Sequence, residues 1–203
     1  MVFLIIDTET TGLPDTSGLP FGKYHHYTKL EKYSTSRIVQ ISYTLCNSQF
    51  DEISSHDFII KRDNFSIDNH QFHGITNQIS DTEGVEFKYS AEDLFQKLKS
   101  TEYIFAHNAA FDINIIKSEL CRYGLNEVLG LLNMKKIVCT MYLTKPIVKA
   151  IGRSGLQKNP SLAELFRYCH GSDMDNAHNS RYDVLNLLYC LKFLHNNNKI
   201  SIN

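Results

Sequence analysis

"LIIDTETTGLP", residues 4–14, runs from an apolar segment into Asp7-Thr8-Glu9 and then into a turn written in Thr, Gly and Pro. Side chains on a strand alternate between its two faces, so Asp7 and Glu9 share a face and Thr8 takes the other. The two carboxylates then stand roughly 6 to 7 Å apart and repel by about 2.5 kcal/mol at an effective dielectric of about 20. If the strand is buried, a bound cation or a raised pKa must relieve that repulsion. The reading of the whole chain turns on which other residues reach this pair.

Residues 2–9 read as a buried strand, and residues 15–36 as a long polar insertion that contains "FGKYHHYTKLEKY". "RIVQISYTL" and "HDFIIKR" predict a hairpin after it, over residues 37–62. Ala91, Leu94, Phe95 and Leu98 then recur at helical spacing, with Ser90 as the expected N-cap. "YIFA" predicts a strand, "HNAAFDINIIKSELCRYG" a helix stopped by Gly124, and "KIVCT" a further strand. Ser161 and Glu164 have capping-box spacing, and Val184, Leu187, Leu188, Leu191 and Leu194 stripe a last helix before a polar tail, 195–203, expected to fray. With no internal repeat, the order predicts one α/β domain over residues 1–203, a mixed sheet with helices on its faces.

Two further acids can meet the first pair. Asp112 lies in the first turns of its helix and shares a face with Ile116 one turn on, so it points toward the sheet. Asp183 stands one turn before Leu187 at the edge of the leucine stripe. No Lys or Arg adjoins Asp7, Glu9 or Asp112 in sequence, although Arg181 lies two residues from Asp183. All-oxygen donors favour Mg²⁺ or Mn²⁺ over zinc, and a pair of such ions suits in-line attack of water on a phosphodiester. His178, five residues before Asp183, is a candidate proton acceptor near pH 7.

Composition excludes several classes. Hydrophobic residues at 42% and charged residues at 21% are ordinary for a soluble domain, and a net charge of −1 offers polyanions no global attraction. The five cysteines include no CxxC pair, which argues against a disulfide framework or a zinc knuckle and for a reducing compartment, cytoplasmic or nuclear. No apolar run approaches the ~20 residues that cross a bilayer. From Val128 to Ala163 there is no acid, while Lys135, Lys136, Lys145, Lys149, Arg153 and Lys158 are present. In the insertion Lys23, Lys29 and Lys32 alternate with Tyr24, Tyr27 and Tyr33. Basic and aromatic residues so mixed suit single-stranded nucleic acid.

"IIDTETTGLP", "AHNAAFDINII" and "HNSRYDVLNLL" resemble, in order and spacing, the three motifs of the DnaQ-like DEDDh family of 3′-to-5′ exonucleases. "FHGIT" (72–76), "VCTM" (138–141) and "SLAELFRYCHG" (161–171) resemble landmarks between those motifs. The resemblance implies a ribonuclease H-like α/β fold, two divalent ions (Mg²⁺ or Mn²⁺) on Asp7, Glu9, Asp112 and Asp183, and His178 as general base. It implies release of nucleoside 5′-monophosphates from single-stranded DNA or RNA 3′ ends. Thr10, Leu13, Asn108, Phe111 and His73 match substrate-binding positions, and a homodimer or a polymerase partner is left open. The long insertion departs from the family's usual short connection.

Each residue alone has a plainer reading. Asp112 could serve its helix dipole, Asp183 could pair with Arg181, Phe111 could be core and His73 structural. The insertion could be a flexible or partner-binding loop, and the acid-free stretch a solvated face. Two other functions compete with the nuclease: a haloacid dehalogenase-type phosphatase, and a nucleic-acid-binding module without turnover.

Overall fold

A computed structural model describes residues 1–20, 22–174 and 179–202. Strands β1 (Val2–Thr10), β2 (Ile38–Asn47) and β3 (Glu52–Ile59) open the chain, followed by helices α1 (His70–His73), α2 (Asn77–Glu83) and α3 (Phe87–Leu98). Then come β4 (Thr101–Ala106), α4 (Ala109–Arg122), α5 (Asn126–Asn133), β5 (Lys136–Cys139), α6 (Thr140–Val148), α7 (Leu162–His170) and α8 (Ser180–Asn196). The sheet runs β3-β2-β1-β4-β5, antiparallel on the β3 side of β1 and parallel on the β4 side. This is the expected mixed sheet flanked by helices.

Alternation along β1 builds both halves of the core. Leu4 and Ile6 face α3, α4 and α5, where they pack with Leu94, Ile113, Ile116 and Leu132. Phe3 and Ile5 face α7 and α8, where Leu165, Val184, Leu187 and Leu191 cover them. Burying a large aliphatic or aromatic side chain contributes about 1.5–3 kcal/mol, so this doubly covered strand is a rigid base for whatever its end carries. The same parity sends Asp7 and Glu9 to the α8 face and Thr8 to the α4 face.

Several local expectations are revised. Helix α3 starts at Phe87, so Ser90 is not its N-cap; the Ser90 hydroxyl donates instead to the Phe87 carbonyl inside the first turn. Strand β3 begins at Glu52, earlier than its apolar residues indicated, because its first half is a polar sheet edge. As far as Ile202 the C-terminal segment does not fray. Asn198 takes a left-handed conformation after α8, the Lys199 N–H donates to the Leu194 carbonyl, and Ile200 is buried against the α8 face of the core. Gly124 ends α4 as expected: it sits at φ 67°, and the Leu125 N–H reaches the Leu120 carbonyl. The Ser161–Glu164 capping box is present in full.

Candidate active site

β1 pairs with β4 only as far as Ile5, whereas its pairing with β2 continues to the end of the strand. The β4-side edge of β1 beyond Ile5 is therefore open, and its amide groups need other partners. Asp112, in the first turn of α4, fills this gap. Its Oδ1 accepts from the Thr8 N–H (3.1 Å) and from the Thr8 hydroxyl (2.8 Å). Thr8 is the residue the sequence reading passed over; its place on the face opposite Asp7 and Glu9 was the available signal.

On the other face α8 delivers Asp183. Ser180, the first residue of that helix, is buried with its Oγ 2.6 Å from Ser42 Oγ, and Ser42 is the β2 partner of Asp7. Asp183 lies one turn further on. Carboxylate oxygens of Asp7, Glu9 and Asp183 fall within 4.8 Å of one another. Asp112 is not one of the three, yet its charge acts on them from the α4 side.

Burial, then the charges of Asp112, Asp183 and Glu9, hold the Asp7 carboxyl well above its ordinary range. Glu9 is pushed up to about 7 by burial, Asp183 and Asp112. Asp112 also rises to about 7: burial outweighs the two bonds from Thr8 that favour its ionised form. Among the described residues every ion pair to a Lys or Arg lies away from Asp7, Glu9 and Asp112. The donor set is thus hard oxygen and crowded, and Asp7, Glu9 and Asp112 have no Lys or Arg partner among the described residues, which fits a divalent cation of the magnesium type. His178 lies outside the described residues.

The residues matched to substrate positions separate into two groups. Leu13 is 76% exposed and Asn108 sits at the start of α4 with φ 66°, a left-handed conformation that Asn tolerates better than most residues. Both line a cleft of about 720 Å³. Phe111 is half-buried against the core, with its ring edge-on to Tyr24. Thr10 and His73 face inward instead. The Thr10 hydroxyl donates to the Gly12 carbonyl, and His73 Nδ1 accepts from the Ile75 N–H. That leaves His73 Nε2–H to donate to Asn69 Oδ1, and Asn69 Nδ2 donates to the Thr10 carbonyl, so this chain of bonds braces the turn after β1. Gly12 is required in that turn, since a Cβ there would lie 2.9 Å from the Thr35 carbonyl oxygen.

Of the basic residues singled out, Lys32 is bonded to Asp15, Lys136 to Glu102, Lys158 to Glu164 and Lys135 to the Thr101 carbonyl. Tyr33 is buried, and its hydroxyl donates to the His25 carbonyl, so the insertion is a folded segment. Also unforeseen was His107, whose Nε2 donates to the Pro160 carbonyl and whose Nδ1 meets Thr140, tying the end of β4 to the far wall of the cleft.

The mixed sheet flanked by helices, with an acidic cluster at the carboxyl end of its central strand, is the α/β arrangement expected of the ribonuclease H-like fold. A family model described as exonuclease (RNase T) matches residues 4–191. The chain belongs to this exonuclease family, in agreement with the DnaQ-like 3′-to-5′ motifs, and the phosphatase alternative is set aside. No curated protein matches it. Its fold is similar to E. coli Exonuclease I in complex with a dA16 oligonucleotide, with TM-score 0.71 and 18% identity over 96% of this chain and 41% of that one. The zinc-bound form of an E. coli exonuclease I–single-stranded DNA complex gives TM-score 0.71 and 18% identity over 96% and 40%. A complex with a dT13 oligonucleotide gives 0.70 and 19% over 95% and 40%. This chain thus spans about two fifths of the length of those structures. Among the described residues no helix is long and apolar enough to cross a membrane.

Proposed function

We propose that this domain removes nucleotides one at a time from the 3′ end of single-stranded nucleic acid, DNA or RNA, releasing nucleoside 5′-monophosphates. The observation that carries this is the gathering of Asp7, Glu9 and Asp183 oxygens within 4.8 Å in a chain of the exonuclease family. Asp7, Glu9, Asp183 and Asp112 would hold two divalent ions, Mg²⁺ or Mn²⁺, which when bound supply Lewis-acid charge neutralisation at the phosphate and a lowered pKa for water.

The chain's own residues perform the remaining work. Strand β1, packed on both faces, fixes the donor oxygens of Asp7 and Glu9. Thr8 orients Asp112 and favours its ionised form. His178, as neutral imidazole, takes the proton of the attacking water near pH 7. Leu13 and Asn108, exposed to the cleft, position the terminal nucleotide, while Thr10 and His73 stiffen the turn that carries Leu13. A single strand as substrate is supported by the oligonucleotides in the structurally similar exonuclease I complexes. Five free cysteines suit a reducing compartment, cytoplasm or nucleus.

Incubating the protein with a 5′-labelled single strand and Mg²⁺ tests the proposal. A descending ladder is expected, absent with a chelator and absent for Asp7→Ala. Binding without products would instead support a non-catalytic module.

A further inference from the structure

The insertion, residues 15–36, is a feature the acid cluster does not need, and its packing shows what it builds. Tyr33 anchors it in the core, the Asp15 N–H donates to the Lys32 carbonyl across its neck, and Lys117 stands 5.7 Å from the Tyr27 ring centroid. Held this way, the segment brings Tyr24 against the start of α4. The Tyr24 ring meets Phe111 edge-on at 6.3 Å, beside Asn108, which lines the same cleft. Lys23, beside it, is exposed at the same cleft. Tyr142 of α6, 56% exposed, lines the same cleft, as does Lys158, whose ammonium is paired with Glu164.

The cleft of about 720 Å³ that results is walled largely by apolar and aromatic side chains, carries two lysines at its margin, and is continuous with the proposed nucleotide-positioning residues Leu13 and Asn108. We infer that this cleft receives unstacked nucleobases next to the scissile phosphate of a single strand, with Tyr24 as a stacking platform supplied by the insertion and Tyr142 as a second ring. The inference rests on the nuclease reading above and assigns the substrate contacts that reading leaves open. The occupant follows from the chemistry of the walls. Aromatic faces stack on any base without reading its identity, and the exposed Lys23 ammonium matches the phosphates that flank a base laid inside. Tyr24 suits this role because its ring is held before binding by its contact with Phe111, so little freedom is lost when a base stacks on it.

The test uses the full chain and an oligo-dT strand carrying 2-aminopurine at its 3′-terminal or penultimate position, in EDTA, with strand integrity checked on a gel. Stacking quenches 2-aminopurine, so binding to the wild-type protein is expected to dim at least one of the two labelled strands. Tyr24→Ala is expected to restore the fluorescence and weaken binding by about 10-fold. Tyr24→Phe, which keeps the ring, should behave as wild type in quenching; Tyr142→Ala should weaken binding by a smaller factor. Unfolding is excluded by comparing the melting temperatures of Tyr24→Ala and Tyr24→Phe. Unchanged affinity and quenching in a folded Tyr24→Ala protein that still degrades the strand in Mg²⁺ would overturn the cleft assignment alone. A wild-type protein that neither binds nor degrades the strand would overturn the nuclease reading and the cleft assignment together.

Discussion

Helix α4 carries two acids, Asp112 and Glu119, that are each 2% exposed and lie two turns apart. Their environments are opposite. Glu119 faces Arg37, which donates from Nε at 2.6 Å and from Nη2 at 3.2 Å, while Asp63 and Tyr123 complete the network around the guanidinium. Among the described residues Asp112 meets the neutral donors of Thr8 and the negative charges across the strand. Removing a charge from water costs several kcal/mol unless a partner returns it. At Glu119 the chain contains the partner; at Asp112, Asp7 and Glu9 the fold has gathered carboxyl groups whose charge is relieved by protonation or, in the proposed mechanism, by a cation from solution. One helix thus carries an acid paired within the chain and an acid that the proposed mechanism assigns to metal binding.

The largest effects should come from exchanging these roles. Asp112→Asn is expected to reduce exonuclease turnover below detection while leaving the metal-free melting temperature at pH 8 unchanged or higher. Glu119→Gln should do the reverse: turnover persists at permissive temperature, and chemical denaturation shows a loss of about 2–3 kcal/mol, because Arg37 keeps Asp63 but loses its buried carboxylate. Next in size is His178→Ala, expected to slow turnover by about 10² to 10⁴ with the melting temperature retained. An unchanged rate would remove His178 from its role.

A smaller effect is the pH dependence of the metal-free protein. Glu9 and Asp112 hold protons up to about pH 7 in the folded chain, against ordinary values of 4.5 and 3.8. Between those limits the folded state binds more protons than the unfolded one, so stability falls as pH rises. Denaturation midpoints should drop from pH 5 to pH 8 by the equivalent of about 2 kcal/mol for each of the two groups, and Mn²⁺ at pH 8 should restore the loss. The slope should survive in Glu119→Gln and shrink in Asp112→Asn. Thr8→Val should produce the smallest change. Losing one hydroxyl donor to Asp112 should lower stability by about 1 kcal/mol and move the acid limb of the pH–rate profile upward.

How much of this was legible in sequence depended on the range of the interaction. Strand alternation put Asp7 and Glu9 on one face, and helical spacing turned Asp112 and Asp183 inward, because both patterns are local. Glycine and capping signals located the ends of α4 and α7 for the same reason. Short helices were not legible: α5 spans only 8 residues, and α6 contains Pro146, which reads as a breaker yet falls in its last turn. The packed C-terminus was hidden because Ile200 and Ile202 are isolated in a polar run, and their burial depends on residues far away in sequence. Likewise, nothing local to Thr8 announces that Asp112, 104 residues on, will take its amide, and nothing in the insertion announces that Tyr24 will meet Phe111.

The central claim is that negative charge gathered at the end of β1 is completed by divalent cations. An anomalous difference map from a manganese-soaked crystal measures this most directly. Metal density bounded by Asp7, Glu9, Asp183 and Asp112 is the predicted result; a map with no such density, or one in which any of these carboxylates turns away from it, would contradict the claim.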